Sequence, residues 1–312
     1  MEKPKVRISV RNLVEFILRS GDLDNSRGSS GDKEAMLKGG RLHRKIQRSM
    51  KGNYQAEVSL KRESEYEDVI IQVEGRADGI FTEDGEFWID EIKGTYGNLQ
   101  AMEVPVPVHR AQAMCYGWIY GEKEGLSQIG IQMTYSHLDT EDTRRFREIF
   151  SMEELKNWYQ KLLDDYHKWI SCSLSWKKER NASMKDLQFP FPYREGQREI
   201  VSGVYHTVSS KKTLFVQAPT GVGKTMSAIF PSVRAIGEGK GETLFYLTAK
   251  TITGTVAWEA FHTLRENGLK FKVTAITAKE KLCFLDSPEC TPEKCPYAKG
   301  HFDRVNDAVY EL

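Results

Sequence analysis

The sequence predicts an α/β chain built as more than one domain. Three observations carry that expectation. The length of 312 residues exceeds what one hydrophobic core usually organises. The segment Thr213-Leu214-Phe215-Val216, a glycine loop and the helix-compatible Met226-Ser227-Ala228-Ile229 read as strand, loop and helix. Far upstream, apolar β-type segments flank Asp84-Gly85, a pair suited to a two-residue hairpin turn. Composition agrees with soluble globular domains, at 39% hydrophobic and 29% charged. The net charge of +1 excludes no partner class, since a nucleic-acid binder can carry local basic patches at zero net charge. No apolar run approaches the ~18 residues of a membrane helix. Met1-Glu2-Lys3-Pro4 carries no signal-peptide pattern, so a cytoplasmic chain with no membrane partner is expected.

Along the chain, Ser9 is a candidate N-cap for a helix over Val10–Arg19, with Leu13, Val14, Ile17 and Leu18 as its apolar stripe. Residues 21–33, rich in Gly, Ser and Asp, read as a loop, and Glu34–Met50 as a second helix. Three β-type segments follow at Ala56–Lys61, Val69–Phe81 and Glu86–Lys93. A helix over Val108–Tyr120 and a strand over Ile129–His137 come next. The stretch Met152–Lys178 places Leu155, Trp158, Leu162, Leu163, Tyr166 and Ile170 at helical spacing. Residues 179–192, with Phe189-Pro190-Phe191-Pro192, read as a linker. From Tyr193 the pattern alternates helix and strand, as in a parallel α/β domain.

The loop Ala218-Pro219-Thr220-Gly221-Val222-Gly223-Lys224-Thr225 has the composition of a phosphate cradle. Glycines let backbone N–H groups wrap the phosphates and pass them to a helix N-terminus, where the dipole favours negative charge. Lys224 would reach the β- and γ-phosphates of ATP, and Thr225 would hold Mg²⁺.

In the hairpin, a two-residue loop makes facing residues sum to 169. Ile80 then faces Ile89, Phe81 faces Trp88, and Asp78 faces Glu91. Opposed carboxylates cost roughly a few tenths to 1 kcal/mol, so folding does not ask for that pair. A hard divalent cation, Mg²⁺ or Mn²⁺, does. Lys93 projects from the same strand face as Glu91 and would stabilise developing charge. Taken singly, Glu91 and Lys93 equally suit a solvated strand face.

This arrangement resembles the PD-(D/E)XK nucleases of the RecB-like branch. The resemblance rests on Gly75-Arg76-Ala77-Asp78-Gly79, on Glu91-Ile92-Lys93, on His43 in the preceding helix, and on Gln112-Ala113-Met114-Cys115-Tyr116 in the following one. It implies metal ligation by His43, Asp78 and Glu91, and catalytic roles for Asp78, Glu91, Lys93, Gln112 and Tyr116. A nuclease fold that grips DNA without cutting it is the alternative.

In the second half, Tyr193-Arg194-Glu195-Gly196-Gln197 precedes the phosphate loop, and Leu244–Thr251 resembles the strand and loop of helicase motif Ia. Cys283, Cys290 and Cys295-Pro296 follow, three of the five cysteines in the chain. Their spacing suits an iron–sulfur cluster better than the tight pairs of a zinc knuckle, with zinc or free thiols as the alternative. Together these features resemble XPD/DinG-like superfamily 2 helicases, in which alanine at the place of Ala218 is common. The resemblance implies Gln197 at the adenine edge, a [4Fe–4S] cluster, and ATP-driven unwinding of DNA from a single-stranded region, 5′ to 3′. A P-loop ATPase that does not act on nucleic acid is the other reading. The family uses four cluster cysteines, and an acidic Walker B strand is not found after Thr225, so the chain reads as the N-terminal part of a longer helicase whose ATP turnover it lacks. The expected layout is α/β throughout: a nuclease-like domain over 1–178, a linker over 179–192, the start of a RecA-like motor over 193–280, and the start of a cluster insertion over 281–312.

Overall fold

In the computed structural model, which describes residues 3–25, 33–50, 52–249, 251–285 and 289–311, the chain forms two compact units. One comprises Met1–Ser171 with Cys283–Leu312, the other Cys172–Leu282. The architecture is mixed α/β, with an open, mixed six-stranded sheet in the first unit.

That sheet grows around one long strand. β1 (Lys5–Ser9) runs into α1 (Val10–Ile17), and Ser9 caps the helix by accepting the Asn12 N–H at 3.1 Å. α2 (Lys33–Ser49) leads to β2 (Gln55–Glu65), β3 (Ile70–Glu83) and β4 (Glu86–Thr95). Asp84 and Gly85 both adopt left-handed backbone, φ 52° and 85°, which matches the right-handed twist of the flanking strands. α3 (Pro107–Glu124) crosses to β5 (Gln128–His137), which pairs parallel to β4; β6 (Thr143–Ser151) closes the far edge antiparallel. α4 (Met152–Lys185) follows. The apolar core gathers Leu13 and Val14 of α1, Ile71 and Val73 of β3, Ile89 of β4, Ile131 and Met133 of β5, and Leu155 and Leu163 of α4, all fully buried.

Two strands were not anticipated from the sequence. β1 is short and precedes the first helix directly. β6 reads Thr-Arg-Arg-Phe-Arg-Glu-Ile-Phe-Ser, and its charged side chains obscure the alternation that its burial pattern shows. Residues 179–185, read as part of a linker, continue α4, because no glycine or proline interrupts the helix before Pro190.

The sheet has a break where it matters. Along one edge of β3, β1 pairs through Ser9↔Glu74, and β4 begins only at Gly79↔Asp90. Residues 75–78 of β3 have no ladder partner on that edge. The ladder expected to set Asp78 opposite Glu91 therefore stops one pair earlier.

In the second unit, α5 (Gln197–Ser209), α6 (Lys224–Gly237), α7 (Thr251–Glu266) and the single turn α8 (Lys279–Leu282) are joined by extended segments. Met184 and Leu187 pack with Met226, Ile229, Val233, Phe261 and Leu264. Thr213–Val216 and Leu244–Thr248, expected as strands, form no ladder among the described residues, and Phe215 and Leu247 are 94% and 89% exposed. Apolar strand propensity alone does not satisfy a strand's backbone; it needs a neighbour. α9 (His301–Glu311) belongs to the first unit, where the Phe302 N–H reaches Gly21 O at 2.9 Å and Asn306 Nδ2 reaches Phe16 O at 2.8 Å. No helix among the described residues is long and apolar enough to cross a membrane.

Candidate functional site

The break in the β3 edge holds the side chains singled out in the first half of the sequence. Asp78, freed from the ladder, turns its carboxylate so that Oδ2 accepts the Ile92 N–H at 2.7 Å. Its Oδ1 lies 3.6 Å from His43 Nδ1. One turn further along α2, Gln47 Nε2 donates to Asp78 O at 2.9 Å. His43 and Gln47 are four residues apart, so one helix face clamps both ends of Asp78.

Glu91 is buried, with 4% of its surface exposed. Its Oε1 accepts from Lys93 Nζ at 2.6 Å, while Oε2 is buried without a hydrogen-bond partner. Burial, then the charge of Asp78, pushes the Glu91 carboxyl up to about 8, against the pull of Lys93. Asp78 is also raised, by burial first, with His43 opposing. Two buried carboxylates that resist ionisation side by side call for a proton or a cation.

α3 forms the lid of this gap. Tyr116 lies against Gly75, where a Cβ would stand 2.6 Å from its hydroxyl oxygen, so only glycine admits the ring. The Tyr116 hydroxyl accepts the Arg76 N–H, and burial together with Glu91 and Asp78 raises its pKa. Gln112 is buried on the same helix, 3% exposed. His109, three residues before Gln112, lies with Nδ1 3.0 Å from the Tyr135 hydroxyl, which accepts the Val106 N–H at 2.9 Å. Burial, then Lys93 and Arg11, lowers His109 to about 4, so the ring is neutral.

A third buried carboxylate, Asp90, was missed in the sequence because it sits beside Glu91 and reads as the opposite strand face. It is fully buried and accepts from Gln132 Nε2 at 2.9 Å, Thr134 Oγ1 at 2.6 Å and the Tyr54 hydroxyl at 3.1 Å. Tyr54 crosses over Gly79, where a Cβ would overlap its ring. Asp90 is thus satisfied by hydrogen bonds, and Glu91 is half-satisfied. That contrast separates a structural carboxylate from a poised one.

His43, Asp78 and Glu91 carry the nitrogen and oxygen donors that Mg²⁺ or Mn²⁺ takes, and Glu91 Oε2 has no hydrogen-bond partner. Among the described residues, no three His, Cys, Asp or Glu side chains are arranged around one point to hold an ion.

In the second unit, Gly221 and Gly223 take left-handed backbone, φ 86° and 84°, and Gly223 caps α6. Lys224 at the first turn of α6 donates to Ala218 O at 2.8 Å and Pro219 O at 2.9 Å. Gln197 is buried against Gly223 and accepts the Arg194 N–H at 3.0 Å, and Arg194 donates to Gly221 O. The Tyr246 hydroxyl reaches Thr225 Oγ1 at 3.3 Å. Pro219, Thr220 and Val222 complete the loop.

Of the three late cysteines, Cys290 and Cys295 share a small buried cluster with Ala298, while Cys283 is partly exposed and its Sγ accepts the Leu285 N–H at 3.4 Å. A [4Fe–4S] cluster takes four thiolates. The structure brings two of the three late cysteines together.

No family model matches the chain. A stretch of 47 residues is 40% identical to a probable ATP-dependent helicase, MJ0942, of Methanocaldococcus jannaschii, covering 15% of this chain and 7% of that protein. This local similarity relates part of the chain to a helicase. Among solved structures, one described as the crystal structure of SSO0001 aligns with a TM-score of 0.34 at 20% identity, over 52% of this chain and 78% of that one.

Proposed function

We propose that the first unit is a divalent-metal-dependent DNA nuclease site and that the second carries the ATP-binding loop of a DNA helicase motor. The observation that carries the nuclease reading is Glu91: a buried carboxylate with one oxygen on Lys93 and the other without a partner, in the gap that also holds Asp78. His43, Asp78 and Glu91 would hold the ion. When bound, a divalent cation supplies a polarised phosphoryl oxygen and an activated water. Lys93, whose Nζ lies on Glu91 Oε1, would meet charge developing on phosphate. Tyr116, over Gly75, closes the gap from α3, and Gln112 lies buried four residues earlier on the same helix.

The helicase reading draws on the Ala218–Thr225 loop, its left-handed glycines at the start of α6, and the local similarity to a probable ATP-dependent helicase. Arg194, bonded to Gly221 O, and Gln197, which accepts the Arg194 N–H, would report nucleotide occupancy to the segment before α5.

Cleavage of a single-stranded oligonucleotide with Mn²⁺, compared with Asp78→Ala and Lys93→Ala, tests the first site. Cleavage by the wild type alone supports it. Equal cleavage by all three, or none by the wild type, overturns it. Retained DNA binding without cleavage would select the gripping module instead, a reading favoured by the lack of a closed three-ligand set. Stimulation of ATP turnover by single-stranded DNA in a protein containing the complete motor tests the second; no stimulation sinks it.

A further inference from the structure

Beyond the end of β4 lies an open-sided pocket of about 590 Å³, lined by Tyr96, Asn98, Leu99, His137, Asp142 and Arg144 among others. It sits past the last pair of the parallel β4–β5 ladder, Thr95↔His137. Crevices outside the carboxyl ends of parallel strands are favoured places for ligands in open α/β sheets. Neither the sequence motifs nor the site at Asp78 and Glu91 accounts for it.

We propose that this pocket takes one unstacked base of a single-stranded nucleic acid, beside the phosphodiester held at Asp78 and Glu91. The proposal rests on the nuclease reading of that site and names how its strand is gripped.

Tyr96 is half exposed, 50%, and stands edge-on to His137, with ring centroids 6.4 Å apart and planes at 88°. Two flat rings at a right angle offer one face for stacking and one wall against the edge of a base. Lys38 Nζ lies 5.8 Å from the Tyr96 ring centroid, so positive charge borders the stacking surface. Arg144 Nη1 is committed to Leu99 O and Gln100 O, both at 2.9 Å, which fixes the floor. Asn98 Oδ1 accepts the Gln100 N–H, which leaves its amide nitrogen as the donor for a base edge. Asp142 supplies acceptor oxygens, one of which takes the Thr140 hydroxyl. Two of the acidic side chains near the pocket are neutralised, since Lys38 pairs with Asp139 and Lys45 with Glu141.

The spacing suits a strand running from one site to the other. His43, which meets Asp78, and Lys38, which borders Tyr96, are five residues apart on α2, about 7.5 Å along its axis. Lys93 and Tyr96 are three residues apart on the same chain segment, at most about 10 Å. A neighbouring nucleotide spans such a distance. In a duplex the base is stacked and paired; only a single strand presents a free face.

The test uses the full 312-residue chain and a short single-stranded oligodeoxynucleotide carrying the fluorescent base 2-aminopurine, titrated in a metal chelator so that nothing is cut. Stacking in the pocket quenches the probe. Tyr96→Ala is expected to weaken binding about ten-fold and abolish the quench, and Tyr96→Phe to stay within about two-fold of wild type. His137→Ala should weaken binding by less than Tyr96→Ala. Wild-type affinity and quench in Tyr96→Ala would overturn the proposal, as would no binding by the wild type. Mn²⁺-dependent cleavage by the same proteins separates the two ideas. If the wild type quenches the probe but cuts nothing, the pocket stands and the nuclease reading fails. If it cuts and Tyr96→Ala leaves KM unchanged, the pocket fails and the nuclease reading stands.

Discussion

His109 makes the stability of the first unit depend on pH in a way the geometry allows to be worked out. The ring is held between α3 and β5, with Nδ1 on the Tyr135 hydroxyl and with Lys93 and Arg11 as its cationic neighbours. Its folded value of about 4 lies below the ordinary 6.5, with burial as the first cause. Above the ordinary value both folded and unfolded states leave the ring neutral, and its contribution is fully present. As pH falls, the unfolded chain takes up a proton that the folded chain refuses, so stability is lost between about 6.5 and about 4. The full shift is worth at most about 3 kcal/mol, and about 2 kcal/mol of it is lost between about pH 7 and pH 5. His109→Gln keeps an acceptor for Tyr135 and cannot titrate. Urea unfolding of both proteins across that window is the assay. The wild type should lose about 2 kcal/mol more than the variant. Equal losses would show that His109 is not held neutral by burial and would remove the electrostatic account of this wall of the site.

Other perturbations probe separate parts of the structure. Gly75→Ala drives a Cβ into the Tyr116 ring and should destabilise the first unit by about 1–3 kcal/mol, seen as a lower thermal midpoint; an unchanged midpoint would mean that Tyr116 does not occupy the gap. Tyr54→Phe removes one of three donors to the buried Asp90 carboxylate and should cost about 1.5–3 kcal/mol in urea unfolding; an unchanged stability would show that the Tyr54 hydroxyl does not support Asp90. Lys224→Ala should weaken binding of a fluorescent ATP analogue at least ten-fold while leaving the thermal midpoint near that of wild type, because Lys224 donates only to the exposed loop carbonyls of Ala218 and Pro219. Undiminished binding would remove the phosphate-cradle reading of the loop.

Much of the first unit was legible in the sequence. Ser9 acts as a cap, and Asp84-Gly85 fixed the hairpin register through Ile80↔Ile89 and Phe81↔Trp88. Those features are local: a cap and a two-residue turn depend on neighbours in the chain. The second unit was less legible. Thr213–Val216 and Leu244–Thr248 have strand composition, yet pairing is a property of partners that no local window contains.

By itself the sequence singled out candidates for chemistry: Asp78, Glu91 and Lys93 around one hairpin, and a glycine loop ending in Lys224-Thr225. Tertiary structure alone decided how Asp78 and Glu91 meet. Extending the hairpin register made them a cross-strand pair, but the sheet edge opens at residues 75–78, and Asp78 bonds Ile92 instead. It also decided that Asp90 is satisfied while Glu91 keeps a partnerless oxygen. The reason is desolvation. The groups that bury Glu91 and close the gap come from α2, α3 and β5, and how far a carboxylate is removed from water depends on all of them together.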